Sequence, residues 1–157
     1  MLGRTYENQT CSIARTLEII GERWTLLIMR DALAGLRRFE EFQDSLGIAR
    51  NVLTDRLGRL VASGLLERVR YSERPPRYEY RPTPKGQELG IALLALMHWG
   101  DRHAAEPQGP PRLVEHRGCG GEVAVQPVCT RCAQPVGAQA LHVRPGPALL
   151  AAGFPEA

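Results

Sequence analysis

Long apolar runs are missing from this sequence. No stretch approaches the roughly 18 consecutive apolar residues that a membrane-spanning helix requires. The opening residues, MLGRTYENQTCS, also hold no apolar core of a secretory signal. The expectation is a cytoplasmic protein with no membrane partner. Cysteine is scarce, with four in 157 residues. In that compartment so few thiols speak against a disulfide framework and for metal, redox or core roles. Aromatic residues make up only 6%. One of them, Trp24, falls at helical spacing among aliphatic residues and reads as a core anchor. Serine, histidine and acidic residues are not assembled in any recognisable catalytic order, so no enzyme is expected.

Hydrophobic content is 43%, enough for a real core, and the length suits one ordinary domain with an appendage. The formal net charge of +3 says little by itself, but its distribution says more. From Arg50 to Lys85 nine basic residues stand against four acidic ones, a local balance of +5, which leaves −2 for the rest of the chain. A basic surface facing a polyanion is the economical explanation.

The same region carries a run of three patterns from Arg37 to Lys85. Phe39, Phe42 and Leu46 mark a short amphipathic helix over Arg38–Leu46. Gly47-Ile48 makes a tight turn. Leu53, Leu57 and Leu60 mark a second helix over about Ala49–Ser63, ended by Gly64. Strands over Leu65–Tyr71 and Arg77–Pro82 then form a hairpin. Pro75 and Pro76 stiffen its tip and bar pairing there. Helix, turn, helix and hairpin is the layout of a winged helix-turn-helix, a reader of double-stranded DNA. The fold class expected is mainly α with a small β-hairpin.

With the leucines of the second helix at the centre of the core, Asn51 and Asp55 point directly away, flanked by Thr54, Gly58 and Arg59; Arg50 sits at the N-terminal end. Arginine reads guanine N7 and O6, asparagine reads adenine, and the threonine methyl meets the thymine methyl. Arg50, Asn51, Thr54 and Arg59 are therefore the candidate base-reading residues, with Asp55 orienting Arg59 one turn on. On the wing, Arg74 and Arg77 beside the rigid tip suit a minor groove or a phosphate.

Flanking helices serve this reader. Ser12–Ala34 is helical in pattern, with Ser12 as cap, a break at Gly21 and an end at Gly35. Thr83-Pro84 starts a further helix running to about Ala105. That helix is apolar on too many sides to rest on one small domain, so a second copy of the chain is the natural partner. Two-fold pairing would set two reading helices about 34–36 Å apart, one turn of B-DNA.

These residues together carry a resemblance. Cys11-Ser12-Ile13-Ala14, Glu18–Asp31, Phe39-Glu40-Glu41-Phe42, Leu53–Leu60, Gly64–Arg68, Tyr78-Glu79-Tyr80, Thr83–Gly86 and Trp99-Gly100 follow one another in the order found in the HxlR-type regulators, relatives of the MarR group. The similarity covers about Cys11–His103. It implies a homodimeric transcription factor, more often a repressor, whose terminal helices make the dimer contact. It also implies a sensing role for a cysteine near the N-terminus, the position Cys11 occupies here. Next to a helix N-terminus a thiol is activated, so an oxidant or electrophile is the effector to expect, with a buried structural thiol as the competing reading.

Beyond a proline-bearing linker the composition changes. His116, Cys119, Cys129 and Cys132 form H-x2-C-x9-C-x2-C, two close pairs separated by a loop. Four such ligands suit one structural, tetrahedral zinc, with His142 as a possible substitute. A redox pair of Cys129 and Cys132 competes with that reading, though it lacks the βαβ context of a thioredoxin-like site. The expected division is a DNA-binding and dimerisation domain over 11–105, a linker over 106–113, a zinc-ribbon-like appendage over 114–144 and a flexible end over 145–157. The rival functions are a thiol-disulfide oxidoreductase and an adaptor that no longer binds DNA.

Overall fold

Residues 11–104 and 107–155 are described by the structure, a computed structural model. Expectations that fall on residues 1–10, 105–106 and 156–157 lie outside the described residues.

Helix α1 spans Ser12–Ile20 and α2 spans Thr25–Ala34. They are separated at Gly21, as expected: its N–H closes α1 on the Leu17 carbonyl, and a Cβ there would collide with that carbonyl. Ser12 is not the cap. The Cys11 carbonyl already accepts from the Arg15 N–H at 3.1 Å, so the helix starts one residue earlier and Cys11 takes the cap position without a side-chain bond. Helix α2 is the central element, with Ile28, Met29 and Ala32 wholly buried. Trp24, at its N-terminus, packs half-buried against the same core.

Helices α3 (Phe39–Leu46) and α4 (Arg50–Ala62) close over α2. The turn between them places Gly47 at φ +60°, a left-handed conformation that glycine adopts without a steric penalty. Phe42, Leu53, Leu57 and Leu60 meet there and form the core with Ile28 and Met29. Strands β1 (Leu66–Glu73) and β2 (Pro76–Pro82) then make one antiparallel hairpin.

This hairpin is longer than the sequence suggested. Pro76 pairs with Glu73 instead of barring the pairing, because a proline at the first position of a strand forfeits only a donor that the end of a ladder does not need. A bulge between Arg70 and Ser72 also breaks the simple alternation expected through Tyr71. The base of the wing is tied to α3: Tyr80 N–H donates to the Arg37 carbonyl at 2.8 Å and Arg38 bridges Glu79.

Helix α5 spans Pro84–His103. Its start matches the sequence signal, with Thr83 Oγ1 accepting the Gly86 N–H at 3.2 Å and Pro84 in the first turn. Gly86 lies so close to the Leu65 carbonyl that any Cβ would overlap it. Leu94 is buried, while Ile91, Leu96 and Trp99 are 63%, 53% and 58% exposed. No helix among the described residues is long and apolar enough to cross a membrane. The remaining chain forms two small hairpin knuckles over 114–136, and the C-terminal end carries a short helix, α6 (Pro147–Ala151).

Candidate nucleic-acid interface

The outward face of α4 is built by the leucines on its other side. With Leu53, Leu57 and Leu60 in the core, Asn51, Thr54, Asp55, Gly58 and Arg59 are all exposed. Arg50 begins the helix and lies over the Phe39 ring at 4.7 Å, which holds the guanidinium at the mouth of the helix-turn-helix. Thr54 Oγ1 donates to the Arg50 carbonyl at 2.8 Å, so its hydroxyl proton is engaged within the helix. Arg59 Nε stands 3.1 Å from Asp55 Oδ2, the one-turn pairing anticipated from the sequence. Arg56 faces the other way: its side chain is 15% exposed, 3.4 Å from Glu22 and 3.5 Å from Asp55. Gly58 has no neighbour within 4 Å of where a Cβ would stand.

On the wing, Arg74 and Arg77 are exposed and, among the described residues, make no side-chain hydrogen bond or ion pair, so both are available to a ligand. Arg68 and Arg70, which strand alternation sets on one face of β1, shape the wing together with Arg38. Arg70 donates to the carbonyls of Ser72 and Glu73 at 3.2 and 3.1 Å and braces the tip. Arg68 stacks on Tyr78 at 3.6 Å and Arg38 on Tyr71 at 5.1 Å. The signal was present: arginines alternate along one strand and tyrosines along its partner.

The other proposed site residues lie apart from this surface in the sequence. Cys11 is exposed at the start of α1. The three later cysteines are also free thiols. His116 Nδ1 lies 3.3 Å from Cys119 Sγ. The backbone N–H of Cys132 and then that of Arg131 donate toward Cys129, and with the Cys132 side chain they hold its thiol below the ordinary range. Among the described residues no three histidine, cysteine or acidic side chains gather into a metal cage. His103 lies beside the exposed Trp99 ring, with centroids 5.1 Å apart and the rings tilted by 44°.

This architecture is shared. A family model for the HxlR-like helix-turn-helix matches residues 19–108. An HTH-type transcriptional regulator of Mycobacterium tuberculosis is 45% identical over 136 residues, 87% of this chain and 86% of that one. The solved structure of PA1607, a candidate transcription factor, is 38% identical, with a TM-score of 0.76 over 85% of this chain and 94% of that chain. A likeness of that extent runs past the helix-turn-helix into the cysteine-rich tail. The redox regulator HypR, in its reduced form, is 31% identical with a TM-score of 0.56 over 59% of this chain and 92% of its own. An arginine-rich reading helix and wing, the winged helix-turn-helix around them and this agreement with regulators lead to one conclusion: the chain belongs to the HxlR-like helix-turn-helix family and is a DNA-binding transcriptional regulator.

Proposed function

We propose that the chain works as a sequence-specific, homodimeric repressor. The observation that carries this reading is the apolar surface that one copy leaves uncovered. Ile13, Leu17 and Ile19 on α1 and Ile91, Leu96 and Trp99 on α5 are all exposed at 43% or more. Both helices flank the reader in sequence, and burying those side chains between two copies removes apolar area from water at about 25 cal/mol per Å². A two-fold pair then presents two α4 helices to successive major grooves. Arg50, Asn51, Thr54 and Arg59 read base edges, while Arg74 and Arg77 hold the minor groove or its phosphates.

The reader and the dimer helices make up one domain over 11–105. A linker over 106–113 leads to a cysteine-rich, zinc-ribbon-like appendage over 114–144, and the end over 145–157 is accessory. The role is regulatory, not catalytic, and its place is with the genome in the cytoplasm. Cys11 is the sensing thiol: it is exposed beside a helix start on α1, the same helix that carries dimer-forming residues. The similarity to HypR, a redox regulator, supports an oxidant or electrophile as effector.

Two measurements test this. Sedimentation should give a dimer, and Trp99→Glu with Leu96→Glu should give a folded monomer. Mobility shifts on a fragment of the chain's own promoter should show salt-dependent, competitor-resistant binding by the dimer only. A wild-type monomer, or equal binding to unrelated DNA, would overturn the reading.

A further inference from the structure

The tail contains the same small structure twice. Thirteen positions apart in the sequence, residues 115–122 and 128–135 fold into matching knuckles. Glu115 bridges Glu122, and Val128 bridges Pro135. Inside each, the N–H of the first ligand position donates across the turn, His116 to the Gly121 carbonyl at 2.8 Å and Cys129 to the Gln134 carbonyl at 2.9 Å. A second bond returns to the same residue, from Gly120 N–H to His116 at 2.8 Å and from Ala133 N–H to Cys129 at 2.9 Å. A third closes each base, Val123 to Val114 at 2.8 Å and Val136 to Pro127 at 2.9 Å.

The backbone agrees as well. Gly120 has φ +71° and its counterpart Ala133 has φ +55°, which makes Ala133 the only non-glycine residue in the left-handed region among the described residues. An alanine settles there only when its surroundings impose the turn. The two knuckles place His116 and Cys119 in the positions that Cys129 and Cys132 occupy.

We infer that the two knuckles are the halves of one Zn(II) site, with His116, Cys119, Cys129 and Cys132 as its four ligands. The first pair is already spaced for an ion. Its Nδ1 and Sγ atoms are 3.3 Å apart, and the ligand–ligand edge of a tetrahedron with Zn–N and Zn–S bonds is about 3.5 Å. In the second pair, Cys129 and Cys132 stand at the same two positions of a knuckle with the same backbone bonds. Three thiols and an imidazole complete a closed tetrahedral set with no open position, which makes the ion structural. Among the described residues the two pairs are not gathered around one point; the exposed connection Ala124–Pro127 is the segment that would have to bring them together on the ion.

The first knuckle also faces α5 across a cleft. Val114, Glu122 and Val123 line a cleft of about 130 Å³ with Met97, His98 and Asp101 of α5. An ion that fixes this knuckle would thereby fix one wall of that cleft, beside the C-terminal part of α5. This inference rests on reading residues 114–144 as a zinc-ribbon-like appendage and adds the paired knuckles that present its ligands and the cleft shared with α5.

Elemental analysis of the full chain, purified under reducing conditions without chelator, tests it. About one zinc per chain is expected for the wild type and for Cys11→Ser, and less than half for Cys119→Ser and for Cys129→Ser. Cobalt loading of the wild type should give thiolate-to-metal charge-transfer bands that Cys129→Ser lacks. Far-UV circular dichroism of the same preparations confirms that each variant is folded. Wild-type protein with less than half an equivalent overturns the site, as do unchanged metal content in both knuckle variants and metal lost in Cys11→Ser. A Cys129–Cys132 disulfide without metal overturns it in favour of a redox pair. Limited proteolysis separates the two levels: an appendage released as a stable but metal-free fragment would leave the appendage standing and remove the zinc.

Discussion

Ser45 Oγ donates a hydrogen bond of 2.7 Å to Asp31 Oδ2, joining the first helix of the helix-turn-helix to the central helix beneath it. Asp31 is 1% exposed, and its other oxygen accepts from Arg30 at 2.8 Å. A buried carboxylate must keep its partners, because an orphaned oxygen forfeits its hydration with nothing in return. Ser45→Ala should therefore cost about 1–3 kcal/mol in denaturant unfolding, and Asp31→Ala a similar or larger amount. Ser45→Ala with wild-type stability would show that the bond contributes nothing.

Arg59 is held by Asp55 on the exposed face of α4. If this guanidinium reads a base edge, as proposed above, Arg59→Ala should lose about 1–3 kcal/mol of discrimination at a single base pair of the operator. The check is a binding series over single-base operator variants. Equal weakening on every sequence would instead make Arg59 a phosphate contact.

Two glycines should respond in opposite ways. Gly58→Ala meets open space in a helix interior and should stabilise the fold by about 1 kcal/mol. If the backbone of α4 approaches DNA there, the same change weakens operator binding, so melting temperature and affinity should move apart. Gly86→Ala drives a methyl into the Leu65 carbonyl and toward the Met29 side chain, and should destabilise by about 1–3 kcal/mol or more. Thermal melts of the pair decide this directly.

Glu41 gives the fold an acid-sensitive clasp. The N–H groups of Arg37 and Arg38 donate to Glu41 Oε2 at 2.8 and 2.9 Å. These two bonds, Arg37 first, pull the carboxyl below its ordinary value of 4.5. The folded state thus holds its proton less tightly than the unfolded chain does. The stabilisation is complete above about pH 4.5 and fades as pH falls through the lowered folded value. Glu41→Gln should be the less stable protein near neutrality, by less than about 1 kcal/mol because the group is exposed. The two should converge in acid, and a gap that persists once the carboxyl is protonated would sink the idea.

Much of this molecule is legible in its sequence. The leucine spacing of α4 fixed which side chains face outward, and Gly21, Gly35, Gly47 and Thr83-Pro84 marked helix ends because each has a backbone requirement that few residues meet. What escaped depended on non-local pairing. Pro76 looked like a strand breaker, since the end of a ladder, where a missing donor is harmless, is invisible in sequence. The Tyr71 bulge escaped for the same reason: register belongs to two strands at once. The matching knuckles were legible only as cysteine spacing, because Gly120 and Ala133 share no chemistry, only a backbone conformation.

The uncovered faces of α1 and α5 have a consequence for dosage. If the operator accepts only the pair, the active species forms by a second-order reaction. Well below the dissociation constant of the dimer, a twofold change in chain abundance becomes about a fourfold change in pairs. Operator occupancy then has a threshold set by expression level, and a regulator that occupies its own promoter would hold itself close to that threshold.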